Sequence, residues 1–148
     1  MSDNPAVEIN IVRDFDAPRE LVWRAWTEPE QFADWFGGKD AEIPMSTVSM
    51  DVRPGGEWRA TMLAGPAGEI RWRGSFQEVV PPERLVFTIT DQPDEVYELC
   101  TVVLTDLGGR TRMAFTQGGG HIPPEMLEQS TAGWHAFFDR MGVLVASA

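Results

Sequence analysis

The sequence predicts an α+β fold in which one long helix lies across a curved antiparallel sheet of seven strands. The last stretch, from Pro123 to Ala146, carries bulky apolar residues at three- and four-residue intervals, as an amphipathic helix does. The chain before it shows mainly strand and turn signals, and short connections favour neighbouring antiparallel strands. Since so apolar a helix needs a sheet to bury against, we expect a cavity where the two surfaces do not fully meet.

Length and composition indicate one domain spanning residues 1–148 and exclude several classes of partner. The formal net charge of -11 repels nucleic acid and anionic lipid surfaces. No apolar run approaches the ~20 residues of a membrane-spanning helix, so we expect no membrane insertion. The N-terminus lacks a signal-peptide pattern, and the single cysteine, Cys100, rules out an internal disulfide. We therefore expect a cytoplasmic protein.

The first third of the chain predicts one strand and two short helices. Apolar and polar residues alternate from Val7 to about Phe15, which indicates a strand with one buried face. Pro18 suits the first position of a helix, where its missing N–H costs nothing. Thr27 and Glu30 have capping-box spacing, so a second short helix is expected to begin there.

Six further strands are expected between Thr47 and Gln117, separated by turns rich in glycine and proline. The alternation places them at about 48–52, 58–63, 70–80, 85–89, 97–105 and 111–115. Together with the first strand they complete the sheet of seven.

Several short motifs, taken in order, resemble a known family. They are Arg13 to Trp23, Thr27 to Glu30, Asp34 to Phe36, Asp51 to Gly56, Pro81 to Val86, and Gly133-Trp134. The set is similar to bacterial proteins related to the C-terminal domain of the heat-shock-protein-ninety ATPase activator, which belong to the START-like, Bet v 1-like (SRPBCC, helix-grip) superfamily. This resemblance implies a seven-stranded sheet that grips a long helix around a cavity for apolar molecules. Some superfamily members are cyclases or hydrolases and others are carriers, so the fold does not decide the function.

The cavity residues follow from strand alternation and from the helix stripe. If Arg59, Arg71, Arg73 and Arg112 face solvent, their neighbours point toward the helix. In the sixth strand, Cys100 is assigned to the inward set. The residues expected to line the cavity are Trp35, Trp58, Met62, Trp72, Phe76, Phe87, Cys100, Phe115, Ser130, Trp134 and Phe138.

Catalytic and metal-binding signatures are weak. His121, His135 and Cys100 lack ligand spacing, so we expect no metal and no cofactor. No nucleophile motif occurs, and the catalytic residues of any enzyme stay unknown. Glu78 and Glu98 share the inward parity of the cavity residues, so either could serve as an acid or base.

The predicted function is binding of a small, largely apolar molecule between the helix and the sheet. One alternative is an enzyme, cyclase- or hydrolase-like, that acts in the same cavity. Another is a protein-interaction or stress-response module related to chaperone ATPase activation, which would expose an apolar patch around Trp23, Trp35 and Phe36. A second copy of the chain, as in a homodimer, or another protein also stays open as a partner.

Overall fold

The predicted α+β fold is confirmed by a computed structural model, which describes residues 8–91, 97–119 and 122–147. Seven antiparallel strands form one sheet in the order β1-β7-β6-β5-β4-β3-β2. The strands are β1 (Ile9–Phe15), β2 (Ser49–Met50), β3 (Glu57–Leu63), β4 (Glu69–Val80), β5 (Arg84–Ile89), β6 (Glu98–Asp106) and β7 (Thr111–Gly118). The helices are α1 (Arg19–Thr27), α2 (Pro29–Trp35) and α3 (Leu127–Ala146).

Strands β2 to β7 follow one another as the expected meander, and β1 joins the far edge of the sheet beside β7. Ile11 of β1 lies opposite Phe115 of β7, and both are buried. Because α1 and α2 connect the two edges of the sheet, the chain wraps a concave inner face, over which α3 lies.

The inner face follows the strand alternation. In β3, Trp58, Ala60 and Met62 are buried, while Arg59 between them is exposed. In β6 the buried set begins with Glu98 and Cys100, so the assignment of Cys100 to the inner face is confirmed. A strand with one solvent face shows this period of two.

Helix α3 buries the stripe that its sequence predicts. Its buried residues are Trp134, Phe138, Met141 and Val145, at helical spacing. Phe138 is fully buried, and its ring centroid lies 6.0 Å from that of Trp26 in α1. Helix α3 is thus held between the sheet and the two short helices.

Helices α1 and α2 are tied together by a tryptophan side chain. The Trp35 indole Nε1 donates a 2.6 Å hydrogen bond to the carbonyl oxygen of Ala25. In a continuing helix that carbonyl would accept from the residue four positions later, which is Pro29 and has no N–H. The indole therefore satisfies a carbonyl that the helix break would otherwise leave without a backbone donor.

The predicted capping box at Thr27 and Glu30 is wrong. Thr27 ends α1, and its hydroxyl donates to the carbonyl of Trp23 at 2.9 Å. Helix α2 starts at Pro29, with Glu28 as the N-cap and no side-chain capping bond. The fixed backbone of proline at the first helical position starts this helix without the box.

The inward assignment of Glu78 is also wrong. The pairing of β4 with β5 shifts between Phe76 and Glu78, so a β-bulge resets the alternation at this point. Glu78 is exposed and forms an ion pair with Arg84 at 3.3 Å.

None of the helices in the described ranges is long and apolar enough to cross a membrane. His121, considered above as a metal ligand, lies outside the described residues.

Candidate functional site

A pocket of about 200 Å³ lies between the N-terminal half of α3 and the inner face of the sheet. Four of its residues come from α3, three from the strands β4, β5 and β7, and one from the segment that follows α2. The lining residues are Phe36, Trp72, Ile89, Gln117, Ser130, Gly133, Trp134 and Phe137. Most of these side chains are apolar, so the pocket favours an apolar guest.

The space exists because α3 carries a glycine where it faces the pocket. A Cβ atom built on Gly133 would meet no atom within 4 Å. The neighbouring position on the same face is Ser130, which is also small. One turn after Trp134, the large side chain of Phe138 is fully buried in the core. The pocket is therefore set by side-chain size along the helix.

The polar end of the pocket is organised by Trp134 and Gln117. The Trp134 indole Nε1 donates a 2.7 Å hydrogen bond to Gln117 Oε1. An indole N–H can only donate, so the oxygen of the carboxamide must face Trp134. The amide nitrogen of Gln117 is then the atom left available, and it forms no hydrogen bond within the described part of the chain.

The opposite wall contains a second indole. Trp72 packs its ring edge-on against Phe36, with centroids 6.1 Å apart. Its Nε1 is buried and has no hydrogen-bond partner among the described residues. An N–H in that position normally costs about 1–3 kcal/mol, so it is the group here that would gain most from an acceptor.

A carboxyl group is buried near the floor of the pocket. Glu98 is 8% exposed and lies directly opposite Ile89, a lining residue, in the pairing of β5 with β6.

Burial, with the charge of Glu98 as the smaller contribution, raises the pKa of the Cys100 thiol well above its usual range. Cys100 therefore stays protonated and is a poor nucleophile.

His135 lies outside the pocket. It is exposed on α3, where its Nδ1 lies 3.2 Å from Nη1 of Arg13 on β1. Arg13 also forms an ion pair with Asp139 at 2.7 Å. These contacts hold the outer side of α3 to the edge strand, so His135 is not placed to act on a molecule in the pocket.

Residues 16–146 match the family described as Activator of Hsp90 ATPase homolog 1-like protein, AHSA1. The chain belongs to this AHSA1-like family. The match covers most of the chain and agrees with the motifs noted in the sequence. No curated protein matches the chain.

Solved structures extend the comparison to the whole AHSA1-like fold. Protein CV1439 from Chromobacterium violaceum is 26% identical, with a TM-score of 0.83 over 94% of this chain and 96% of that chain. Protein NE0264 from Nitrosomonas europaea is also 26% identical, with a TM-score of 0.79 over 95% of both chains. An AHSA1-like protein from Aeromonas hydrophila, 24% identical, shares the fold with a TM-score of 0.79 over 95% of this chain and 92% of that chain.

Within this AHSA1-like fold the eleven residues expected to line a cavity separate into two groups. Three of them, Trp72, Ser130 and Trp134, line the pocket together. The other eight are buried in the core and do not line it. Those eight are Trp35, Trp58, Met62, Phe76, Phe87, Cys100, Phe115 and Phe138. A ligand contact for any of the eleven stays a prediction.

Sequence reasoning did not include five of the lining residues: Phe36, Ile89, Gln117, Gly133 and Phe137. The signal for Gln117 was present, because it continues the alternation of Met113 and Phe115 along β7. The predicted strand ended at Phe115, two residues before Gln117, whereas β7 extends to Gly118. Phe36 lies in a turn after α2, where no periodicity indicates which way its side chain points.

Two larger grooves, of about 380 and 350 Å³, lie beside Arg59 and Arg73. Arg59 alternates with the buried Trp58 and Ala60 of β3 and lies opposite Arg73 of β4, which places both arginines on the sheet face turned away from α3. Arg73 donates to the Tyr97 hydroxyl at 3.0 Å across the first groove. The walls of the first groove are mainly polar, so this groove does not suit an apolar molecule. The second groove has mainly apolar walls but lies beside arginines on the outer face of the sheet, whereas the pocket under α3 lies between a helix and the sheet and is the better candidate.

Proposed function

We propose that the protein binds a small, largely apolar molecule, about one ring in size, in the pocket between α3 and the sheet. The observation that carries this proposal is the open space in front of Gly133, bordered by Phe36, Trp72 and Trp134. Transfer of an apolar molecule from water into apolar space of this kind is favourable, because its surface no longer contacts water.

The volume sets the size of the guest. A cavity of about 150 Å³ takes up benzene, and drug-sized ligands need about 300–1,000 Å³. At about 200 Å³ the pocket fits a single substituted ring. Past the pocket the space is closed by Phe115 and Phe138, whose ring centroids lie 5.2 Å apart. A long acyl chain would have to displace this packing.

The test is titration of the protein with α-methylstyrene, a substituted benzene without polar atoms, followed by calorimetry or by protein NMR. We expect saturable binding that Trp134→Ala weakens and Gly133→Leu abolishes, because the leucine side chain would fill the pocket. Gly133→Leu should leave the fold intact, since its Cβ enters free space.

Gly142→Ala is the matched control. It also replaces a glycine of α3, but its Cβ would meet Phe15 at 3.6 Å, away from the pocket. This variant should bind like the parent protein. If no single-ring compound from a broad set binds saturably, or if Gly133→Leu binds as well as Gly142→Ala, the proposal is wrong.

The other functions considered from the sequence differ in their support. For an enzyme in the same pocket, the supporting feature is the buried Glu98, since Glu78 and His135 lie outside. For a chaperone-related module, the support is the family's name; of the apolar patch expected around Trp23, Trp35 and Phe36, Trp35 and Phe36 are buried and Trp23 is half-buried. A cytoplasmic location stays a prediction.

A further inference from the structure

We infer that the ligand of this pocket is a neutral molecule that carries a hydrogen-bond acceptor, such as a carbonyl oxygen, on its apolar ring. This inference rests on the proposed function and goes beyond it, because it names the chemical group that the pocket recognises. It follows from which polar atoms of the lining residues are already bonded and which are not.

The first donor is the amide nitrogen of Gln117. Trp134 fixes the carboxamide, because its indole N–H must bond to the oxygen and does so at 2.7 Å. The nitrogen of this carboxamide, with its two hydrogens, is then held on the side of the Gln117 amide group that faces away from the Trp134 indole, and Gln117 lines the pocket. A ligand at this position meets a donor whose orientation is already set, which lowers the entropic cost of recognition.

The second donor is the indole N–H of Trp72. Trp72 lines the same pocket, and its Nε1 is buried without a partner in the part of the chain that the structure describes. Ser130 adds a hydroxyl, which can donate or accept. Of the three polar groups that these lining residues leave without a partner in the described part of the chain, the Gln117 amide nitrogen and the Trp72 N–H can therefore only donate.

The pocket offers nothing to balance a negative charge. No arginine or lysine is among its lining residues. The carboxyl group of Glu98 lies beside Ile89 at the floor, and the whole chain carries a formal charge of -11. A carboxylate ligand would lose its hydration without a cationic partner, so a neutral acceptor is favoured over an anionic one.

The experiment compares acetophenone with α-methylstyrene. The two molecules have nearly the same shape, and the second replaces the carbonyl oxygen with a methylene group. We expect acetophenone to bind about 2- to 10-fold more tightly, the ratio that one net hydrogen bond gives. Benzoate should bind more weakly than acetophenone.

Two variants remove one donor each. Trp72→Phe keeps an aromatic ring but has no N–H. Gln117→Glu keeps an oxygen for Trp134 to donate to, but lacks the amide nitrogen. Each should reduce the preference for acetophenone over α-methylstyrene by about 2- to 10-fold, because the ratio of the two affinities reports the hydrogen bond and not the size of the pocket. The circular dichroism spectrum and the thermal unfolding midpoint show whether each variant is folded.

NMR gives a readout independent of affinity. The protein has six tryptophans, and the indole N–H signal of Trp72 is the one missing from the Trp72→Phe spectrum. We expect this signal to move downfield with acetophenone and not with α-methylstyrene, as a new hydrogen bond requires.

The outcomes separate this inference from the proposed function. If α-methylstyrene binds as tightly as acetophenone, the inference is overturned and the proposed function stands. If benzoate binds most tightly, the neutral character is overturned. If neither acetophenone nor α-methylstyrene binds, the proposed function fails and the inference fails with it.

Discussion

The two halves of α3 face the same sheet but make different interfaces. In the C-terminal half, Phe138, Met141 and Val145 are buried against the core. In the N-terminal half, Ser130 and Gly133 border a pocket of about 200 Å³. One continuous helix spans both regions, so small side chains in one half account for the difference.

Trp134 lies at the boundary of the two regions. Its ring centroid is 4.5 Å from that of Phe115 and 6.4 Å from that of Trp26, both in the closed core. Its indole N–H bonds to Gln117 at the pocket. The comparison can thus be tested with one substitution in each half, judged by stability.

The largest effect is expected in the closed half. Phe138→Ala should lower the free energy of unfolding by about 3–5 kcal/mol, because it leaves a cavity in a fully packed region. Phe137→Ala, at a half-buried residue that lines the pocket, should cost less than half as much. Urea unfolding of both variants measures the two values. A loss below about 1 kcal/mol for Phe138→Ala would mean that this half is not closed.

A leucine placed in each half should act in opposite directions. Gly133→Leu should stabilise the protein by up to about 1 kcal/mol, since leucine is a better helix former and enters free space. Gly142→Leu should destabilise it by about 1–3 kcal/mol, because Phe15 already lies 3.6 Å from the position of the new Cβ. Thermal unfolding of the pair is the measurement. Equal effects would remove the distinction between the halves.

The smallest effect concerns the tryptophan hydrogen bond at the pocket. Trp134→Phe removes its bond to Gln117, whose oxygen is half-buried at most, so we expect a loss of about 0.5–1.5 kcal/mol. Trp35→Phe in the closed region should cost more, because the Ala25 carbonyl there is left without a donor. Denaturant unfolding compares the two. If Trp134→Phe lowers the free energy of unfolding more than Trp35→Phe does, the stronger hydrogen bond is the one at the pocket.

Much of the fold could be predicted because it depends on periodicity. The buried stripe of α3 and the alternation along β3 are both visible in the sequence, and the structure confirms them. The errors lie where a single local feature overrides the period. The bulge after Phe76 turns Glu78 outward, and Pro29 starts α2 without the predicted cap. Neither a bulge nor a helix start at proline changes the pattern of apolar residues in the sequence, so a prediction based on that pattern does not detect them.

The pocket was harder to predict than the fold. The sequence indicates which residues face inward, but it does not indicate which of them meet other side chains and which border open space. Phe138 and Trp134 share one stripe of α3, and only Trp134 reaches the pocket. That difference depends on the packing of residues far apart in the chain, such as Phe36 and Trp72, whose rings meet across the fold.

The cluster of aromatic rings around Trp26 gives the protein an intrinsic optical reporter. The ring centroid of Trp26 lies 6.4 Å from that of Trp134 and 4.8 Å from that of Trp35. At these distances, excitation energy absorbed by one indole is readily transferred to the others. Trp134 is the member of this chain of rings that borders the pocket. Entry of a guest beside it should change the emission of the whole cluster, which would allow unlabelled protein to be screened against compound collections by its own fluorescence.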